Sequence, residues 1–185
     1  MEPRSLADWL RMWFGALPQG GSPAELVGPL IQQNELVTDR WVDGDVEVLV
    51  CENQGVWLWG RTTDGRYVER ENTRGTAWLP TGEDEEQFWL HHAAFEALMQ
   101  MPAARCGTGL TPLDLQRLEG FSDPLACGAW GWMGAQRVRV HQASIVTVHR
   151  DEAGTVEVMA GAATERELGW VDNLGIEWNV FDSRA

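Results

Sequence analysis

The sequence predicts an α+β fold in which a largely antiparallel central sheet, built of hairpins, is covered by helices. Two observations carry this prediction. Apolar residues recur at helical spacing near the N-terminus and again over residues 82–101, whereas they alternate with period two over residues 46–60 and 144–161. Short turns containing Gly separate the alternating segments, so neighbouring strands are expected to pair as antiparallel hairpins.

The chain has 185 residues, which suits a single domain with a substantial core and needs no metal or disulfide for stability. We predict four consecutive parts along it. They are the N-terminal helices 5–35, a hairpin core 41–101, an irregular insertion 102–135, and a C-terminal hairpin and helix 137–181.

Local capping signals support the predicted helix starts. Ser5 and Asp8 form a capping-box pattern before the first apolar run, and Ser22 with Glu25 repeats it before the second helix. Thr81 and Asp84 form the pattern before the helical residues 82–101, and Thr164 with Glu167 marks the start of a short final helix in the same way.

The first predicted hairpin is the most distinctive segment of the chain. The strands VEVLVCE and VWLWG are separated by Asn53-Gln54-Gly55, where Gly supplies the left-handed conformation of a three-residue loop. Glu52 lies at the end of an apolar strand face, so its side chain is expected to point at the amides of the turn. Trp57 and Trp59 share one face of the next strand, and core packing is the expected role of this pair.

Composition limits the classes of partner. The formal net charge is −14 and every basic residue is Arg, so the surface repels phosphate backbones and a nucleic-acid partner is not expected. A basic protein would be attracted, although the same acidity also serves solubility alone. There are eleven Trp residues, most of which are expected in the core and some at a recognition surface.

Cysteine use and the N-terminus predict a cytoplasmic protein. Cys51, Cys106 and Cys127 are odd in number and form no Cys-x-x-Cys pair, which is typical of free thiols in a reducing compartment. The N-terminus has no long apolar segment of a signal peptide, and no run approaches the length needed to span a membrane.

The motif search predicts no catalytic residue, cofactor site or metal site. No phosphate-binding loop, dinucleotide fingerprint or Gly-x-Ser-x-Gly elbow is present. His91 and His92 lie near Glu96 on a predicted helix, but the spacing of the four histidines does not supply a metal-ligand set. We expect them to be solvated or interfacial.

Two groups of residues are candidates for contacting a partner. The first is the acidic start of the predicted helix, Glu83, Asp84, Glu85 and Glu86. The second is Trp130 and Trp132, whose Gly-rich setting favours an exposed aromatic patch.

The segment Val50–Gly60 closely resembles the central hairpin of the SUKH superfamily, the bacterial Smi/Knr-type proteins. The resemblance covers about residues 41–100, with a looser similarity over 137–180. Asp64-Gly65 replaces the Asp-Pro-Pro-Val-like turn that many members carry. The matching motif residues, which have a structural role in this interpretation, are Glu52, Asn53, Gln54, Gly55, Trp57, Trp59 and Gly60.

This resemblance implies an α+β fold and a non-enzymatic role in binding a protein partner. Many bacterial members resemble immunity proteins that neutralise polymorphic toxins, often nucleases or deaminases, and such toxins are commonly basic. Two alternatives remain at this stage. One is a regulatory scaffold or adaptor without a toxin partner, as in the yeast relative, and the other is a small-ligand-binding protein with a Trp-lined pocket.

Overall fold

The computed structural model describes residues 4–132, 136–150 and 153–184. The helices of these residues include five α-helices and two 3-10 helices. The α-helices are α1 Leu6–Phe14, α2 Pro23–Val27, α3 Glu85–Gln100, α4 Pro112–Phe121 and α5 Glu165–Leu168, and the 3-10 helices are Gly28–Leu30 and Gly169–Leu174. Within these ranges, the helices are all too short or too polar to cross a membrane.

The first sheet has five antiparallel strands in the order β1-β2-β3-β4-β5. Each strand pairs with its neighbour in sequence, so the sheet is a meander. Its strands are β1 Glu35–Asp43, β2 Val46–Cys51, β3 Trp57–Thr62, β4 Tyr67–Glu71 and β5 Leu79–Pro80.

The second sheet has six antiparallel strands in the order β11-β6-β10-β9-β8-β7. Its strands are β6 Ala103–Thr108, β7 Asp123–Pro124, β8 Arg137–His141, β9 Ser144–Arg150, β10 Val156–Ala162 and β11 Phe181–Asp182. The predicted α+β class and its antiparallel hairpins are confirmed, but the strands form two sheets instead of one central sheet.

Helix α3 lies between the two sheets. On one side His92 meets Trp59 of β3, with ring centroids 5.2 Å apart. On the other side Leu98 packs against β10 so closely that a Cβ at Gly161 would approach it to 2.7 Å. Residues 88–98 of the helix are buried on every side, which is why apolar residues occur on more than one of its faces. A second core fills the opposite face of the second sheet, beneath α4, α5 and the 3-10 helix that follows α5.

Two strands lie where the sequence predicts something else. β1 begins at Glu35, within the predicted N-terminal helical part, and β6 occupies part of the predicted irregular insertion 102–135. The β6 sequence AARCGT has no strong alternation or β-branched run, and it is a strand because β10 and β11 pair with it on both sides. Residues 133–135 of this insertion, and Asp151-Glu152 of the predicted second turn, lie outside the described residues.

The segment between α2 and β1 is held by a buried carboxylate. Glu96 of α3 has no exposed surface, and its Oε2 accepts hydrogen bonds from the backbone N–H groups of Gln32 and Gln33 at 2.9 and 2.7 Å. Its Oε1 accepts a third from Asn34 N–H at 2.9 Å. The Glu96 carboxylate therefore supplies hydrogen-bond acceptors to residues 32–34, whose backbone lies outside any helix or strand.

We expect Glu96→Ala to lower the free energy of unfolding by about 2–4 kcal/mol, because it leaves three backbone donors without their charged acceptor. Urea denaturation measures the change. Glu85→Ala, an exposed glutamate of the same helix, is the matched control, with an expected loss below about 1 kcal/mol. Equal losses in the two variants would contradict this role for Glu96.

Candidate functional site

The turn between β2 and β3 has the inward carboxylate and the left-handed glycine that its sequence predicts, but it is longer than the predicted three-residue loop, because β2 ends at Cys51 and β3 begins at Trp57. Glu52 is buried, and its Oε2 accepts hydrogen bonds from Gln54 N–H at 2.9 Å and Val56 N–H at 3.4 Å. Gly55 takes φ +73°, the left-handed conformation that most side chains disfavour. Asn53 and Gln54 are exposed at the tip. The carboxylate thus stabilises the turn from inside and leaves the two amide side chains on the surface.

The strand after this turn is part of the scaffold. Trp59 is fully buried, whereas Trp57 is half-buried and donates its indole N–H to Glu69 Oε2 at 3.0 Å. A Cβ at Gly60 would lie 2.6 Å from the carbonyl oxygen of Glu47, so only glycine fits this close approach of β2 and β3. The expected core role of Trp57 and Trp59 agrees with these contacts.

Glu83 is an interior residue, so its prediction as a surface contact is wrong. Its Oε1 accepts from Gly128 N–H at 2.8 Å and lies 2.9 Å from His91 Nδ1. Its Oε2 accepts from the Trp130 indole at 3.1 Å. Glu83 precedes the helix cap at Asp84 and turns inward because these partners, more than forty residues away in two cases, satisfy it there.

Trp130 is also interior, and the prediction of an exposed aromatic patch is wrong for this residue. It has no exposed surface, stacks on His91 at a centroid distance of 3.6 Å and contacts Trp59 at 4.9 Å.

His91 and His92 are fully buried as well, not solvated or interfacial as predicted. Burial lowers the pKa of His91, and it lowers the pKa of His92 strongly, with the neighbouring His91 adding to the effect.

The remaining acidic candidates are exposed at the start of α3. Asp84 caps the helix by accepting from Gln87 N–H at 2.9 Å, and Glu85 and Glu86 follow in the first turn. The predicted capping box of Thr81 and Asp84 is therefore wrong, because the helix begins three residues later. Glu86 also accepts a hydrogen bond from the backbone N–H of Leu6 at 3.2 Å, joining α3 to the start of α1. These acids therefore stabilise the helix terminus, and their exposure leaves them accessible.

A cleft opens between the turn of the first hairpin and the inner face of the second sheet. We call it the turn cleft, and its volume is about 220 Å³. Segments from both sheets and from α3 meet there. Its lining residues are Gln33, Asn34, Glu52, Asn53, Gln54, Phe95, Leu98, Met99, Trp132, Gln136, Thr147, His149, Glu157 and Met159. Trp132, one of the two predicted aromatic contacts, is half-buried and belongs to this wall.

The charged groups of the turn cleft do not form a nucleophilic site. Glu157 faces His149 across the β9–β10 pair, with 3.9 Å between Oε1 and Nδ1. Cys106 hydrogen-bonds to Glu157, and burial with this carboxylate nearby raises the pKa of the thiol to about 11. A reactive cysteine needs an imidazole beside it and a lowered pKa. Here a carboxylate stands beside the thiol, which stays protonated.

One group of potential metal ligands lies in the described part of the chain, away from the turn cleft. Ligand atoms of Glu83, His91 and Cys127 lie within 4.8 Å of one another. Both carboxylate oxygens of Glu83 are already occupied by the hydrogen bonds described above. Burial raises the pKa of Cys127, with the charge of Glu83 adding to it, so the thiol holds its proton. Internal hydrogen bonding accounts for the positions of Glu83 and His91 in this cluster.

Comparison of the chain with family models, with curated proteins and with solved structures gives no match. The site is therefore interpreted from its own residues. Sequence reasoning identified Trp132 as a contact residue, but it gave the turn residues Glu52–Gly55 only a structural role and missed Asn34, Met99, Gln136 and Glu157. These four come from segments far apart in the chain, and no local pattern marks them.

Acidification is expected to destabilise the protein through its buried histidines. Unfolded imidazoles take up protons near pH 6.5, whereas His91 and His92 do so only at lower pH in the folded state. Stability is then complete above about pH 6.5 and falls as the pH drops below it, by about 1.4 kcal/mol per pH unit for each such group. Denaturation between about pH 7.5 and pH 5 measures this slope.

His92→Leu removes one of the two groups and should make the slope shallower by about one proton. Leu90→Ala, a change at a buried residue of the same helix that carries no ionisable group, is the control and should lower stability without altering the slope. A slope identical in His92→Leu and in the unmodified protein would show that His92 is not responsible.

Proposed function

We propose that this chain is a non-enzymatic protein-binding module, an immunity-type protein that neutralises a basic toxin domain in the cytoplasm. The observation that carries the proposal is the turn cleft. It joins the hairpin turn that resembles the SUKH motif to an apolar wall, with two carboxylates, Glu52 and Glu157, among its lining residues and no Arg.

The overall charge supports a basic partner. A net charge of −14 without any Lys produces a negative field that accelerates the approach of a positively charged protein. Exposed acids such as Asp84 and Glu85 extend this field beyond the cleft. Negative charge alone could serve solubility. The combination of negative charge with the turn cleft favours the binding of a basic partner.

The state of the polar groups supports a non-enzymatic role. Glu69, Glu83 and Glu96 each hold backbone amides, and the buried His91 is bonded to Glu83. These groups stabilise the fold and are withdrawn from acid–base chemistry on a bound molecule. The cleft volume of about 220 Å³ is also below the range of about 300–1,000 Å³ that small-molecule pockets occupy. Both facts favour a protein surface over a substrate as the occupant.

The proposal is tested by co-expression with toxin-like domains encoded beside this gene. The expected result is rescue of growth and a purified complex whose affinity falls at least tenfold between about 50 and about 300 mM NaCl, because salt screens the attraction. Isothermal titration calorimetry at the two salt concentrations measures this change.

A neutral toxin-like domain from an unrelated locus is the control and should not be bound. The proposal fails if no neighbouring toxin-like domain is neutralised. Stable capture of a host signalling protein instead would favour the regulatory scaffold, and calorimetric binding of a metabolite in the cleft would favour the small-ligand protein.

A further inference from the structure

Two buried amide side chains of the turn cleft have atoms without a partner among the described residues. Asn34 is 7% exposed and its Nδ2 donates to no acceptor, while Gln136 is 3% exposed and its Oε1 accepts from no donor. A buried polar atom left unpaired costs about 1–3 kcal/mol. Both atoms have almost no accessible surface, so a peptide group in the cleft pairs its C=O and N–H with them when the two amide side chains turn toward the cleft.

The same cleft offers carboxylate oxygens to a cation. Both hydrogen bonds to the Glu52 side chain use Oε2, so Oε1 remains available as an acceptor. Glu157 is about a third exposed, and its Oε1 lies 3.9 Å from His149 Nδ1, which is beyond a hydrogen bond. The Cys106 thiol hydrogen-bonds to this carboxylate and adds no charge, so the carboxylate keeps acceptor capacity for a cation. Among the described residues that line the cleft there is no Lys or Arg to neutralise these two acids.

The remaining wall is apolar and aromatic. Met99 is 42% exposed at the end of α3, where it borders the cleft with Phe95. Trp132 is half-buried and packs edge-on against Phe95, with ring centroids 5.0 Å apart. Such a wall suits the methylene stem of a long cationic side chain, and a guanidinium stacks on an indole more readily than an ammonium does.

We propose that the turn cleft is a subsite for one arginine side chain and its adjoining peptide group, presented by an extended segment of the protein partner. The inference rests on the proposed function and specifies which feature of the basic partner is recognised. Arginine fits better than lysine because its planar group donates several hydrogen bonds at once and can pair with a carboxylate such as Glu157 through two of them, while Gln136 serves the adjoining peptide group.

The test uses the whole chain and two capped tripeptides, acetyl-Gly-Arg-Gly-amide and its citrulline analogue, which has the same shape without the charge. NMR titration follows the side-chain amides of Asn34 and Gln136 and the indole of Trp132. The expected result is a set of shifts confined to the cleft, with the arginine peptide binding at least about tenfold more tightly than the citrulline peptide.

Matched variants distinguish binding by residues of the turn cleft from attraction by the negative charge of the whole surface. Glu157→Gln should weaken the arginine peptide about fivefold or more, whereas Glu177→Gln, an exposed glutamate outside the cleft lining, should change it less than about twofold. Met99→Arg should abolish binding, because the new side chain fills the cleft from within. This second variant tests the inference even if Glu157→Gln folds poorly.

Shifts spread over the whole acidic surface, equal affinity for the two peptides, or equal effects of Glu157→Gln and Glu177→Gln would overturn the inference. A toxin domain that still binds Met99→Arg with full affinity would also overturn it while leaving the proposed function intact. Arginine-specific binding in the cleft without neutralisation of any toxin-like domain would sustain the subsite and defeat the immunity role.

Discussion

The structure depends on buried carboxylates that satisfy the backbone of its irregular segments. Glu52 holds the first hairpin turn, Glu96 holds residues 32–34, and Glu69 and Glu83 hold residues 128–131. An unpaired buried backbone group is costly, and a carboxylate can serve several N–H groups at once. Each of these acids therefore replaces the pairing that a helix or a sheet would provide, and the connections can pack in the interior near α3.

This arrangement commits several buried acids of the described residues to hydrogen bonds with the protein's own backbone. Burial raises the pKa of Glu69, but hydrogen bonds from Gly131 and Trp57 act against that shift and fix the side chain in place. Glu83 is fixed in the same manner by Gly128 and Trp130. Their oxygens point at the protein itself. Glu157 and one oxygen of Glu52 are the acids in the turn cleft left to interact with another molecule.

An element can be predicted from the sequence when the residues that form it lie close together in the chain. The turn Glu52–Gly55 was predictable because its carboxylate, its glycine and the amides they serve lie within five residues. The capping boxes at Ser5 and Ser22 are local for the same reason. β6 depends on β10, some fifty residues later, and its own sequence carries no strand signal. The sequence predicts Glu83 and Trp130 at the surface because their neighbours in the chain are polar or glycine. In the structure the Trp130 indole donates a hydrogen bond to Glu83, a contact between distant residues that no local pattern reveals.

The hydrogen bonds of Glu52 also determine where the side chains at the tip of the first hairpin turn lie. Because Glu52 bonds the turn amides through one oxygen, Asn53 and Gln54 are held at the rim of the turn cleft and need not fold back onto the backbone. The other walls come from α3 and from the second sheet, which the same helix separates from the first. Internal hydrogen bonds fix both the turn and the facing strands, and a recess built from such bonded segments reduces the entropic cost of binding. The residues that define the fold locally therefore also set the geometry of the surface that we assign to recognition.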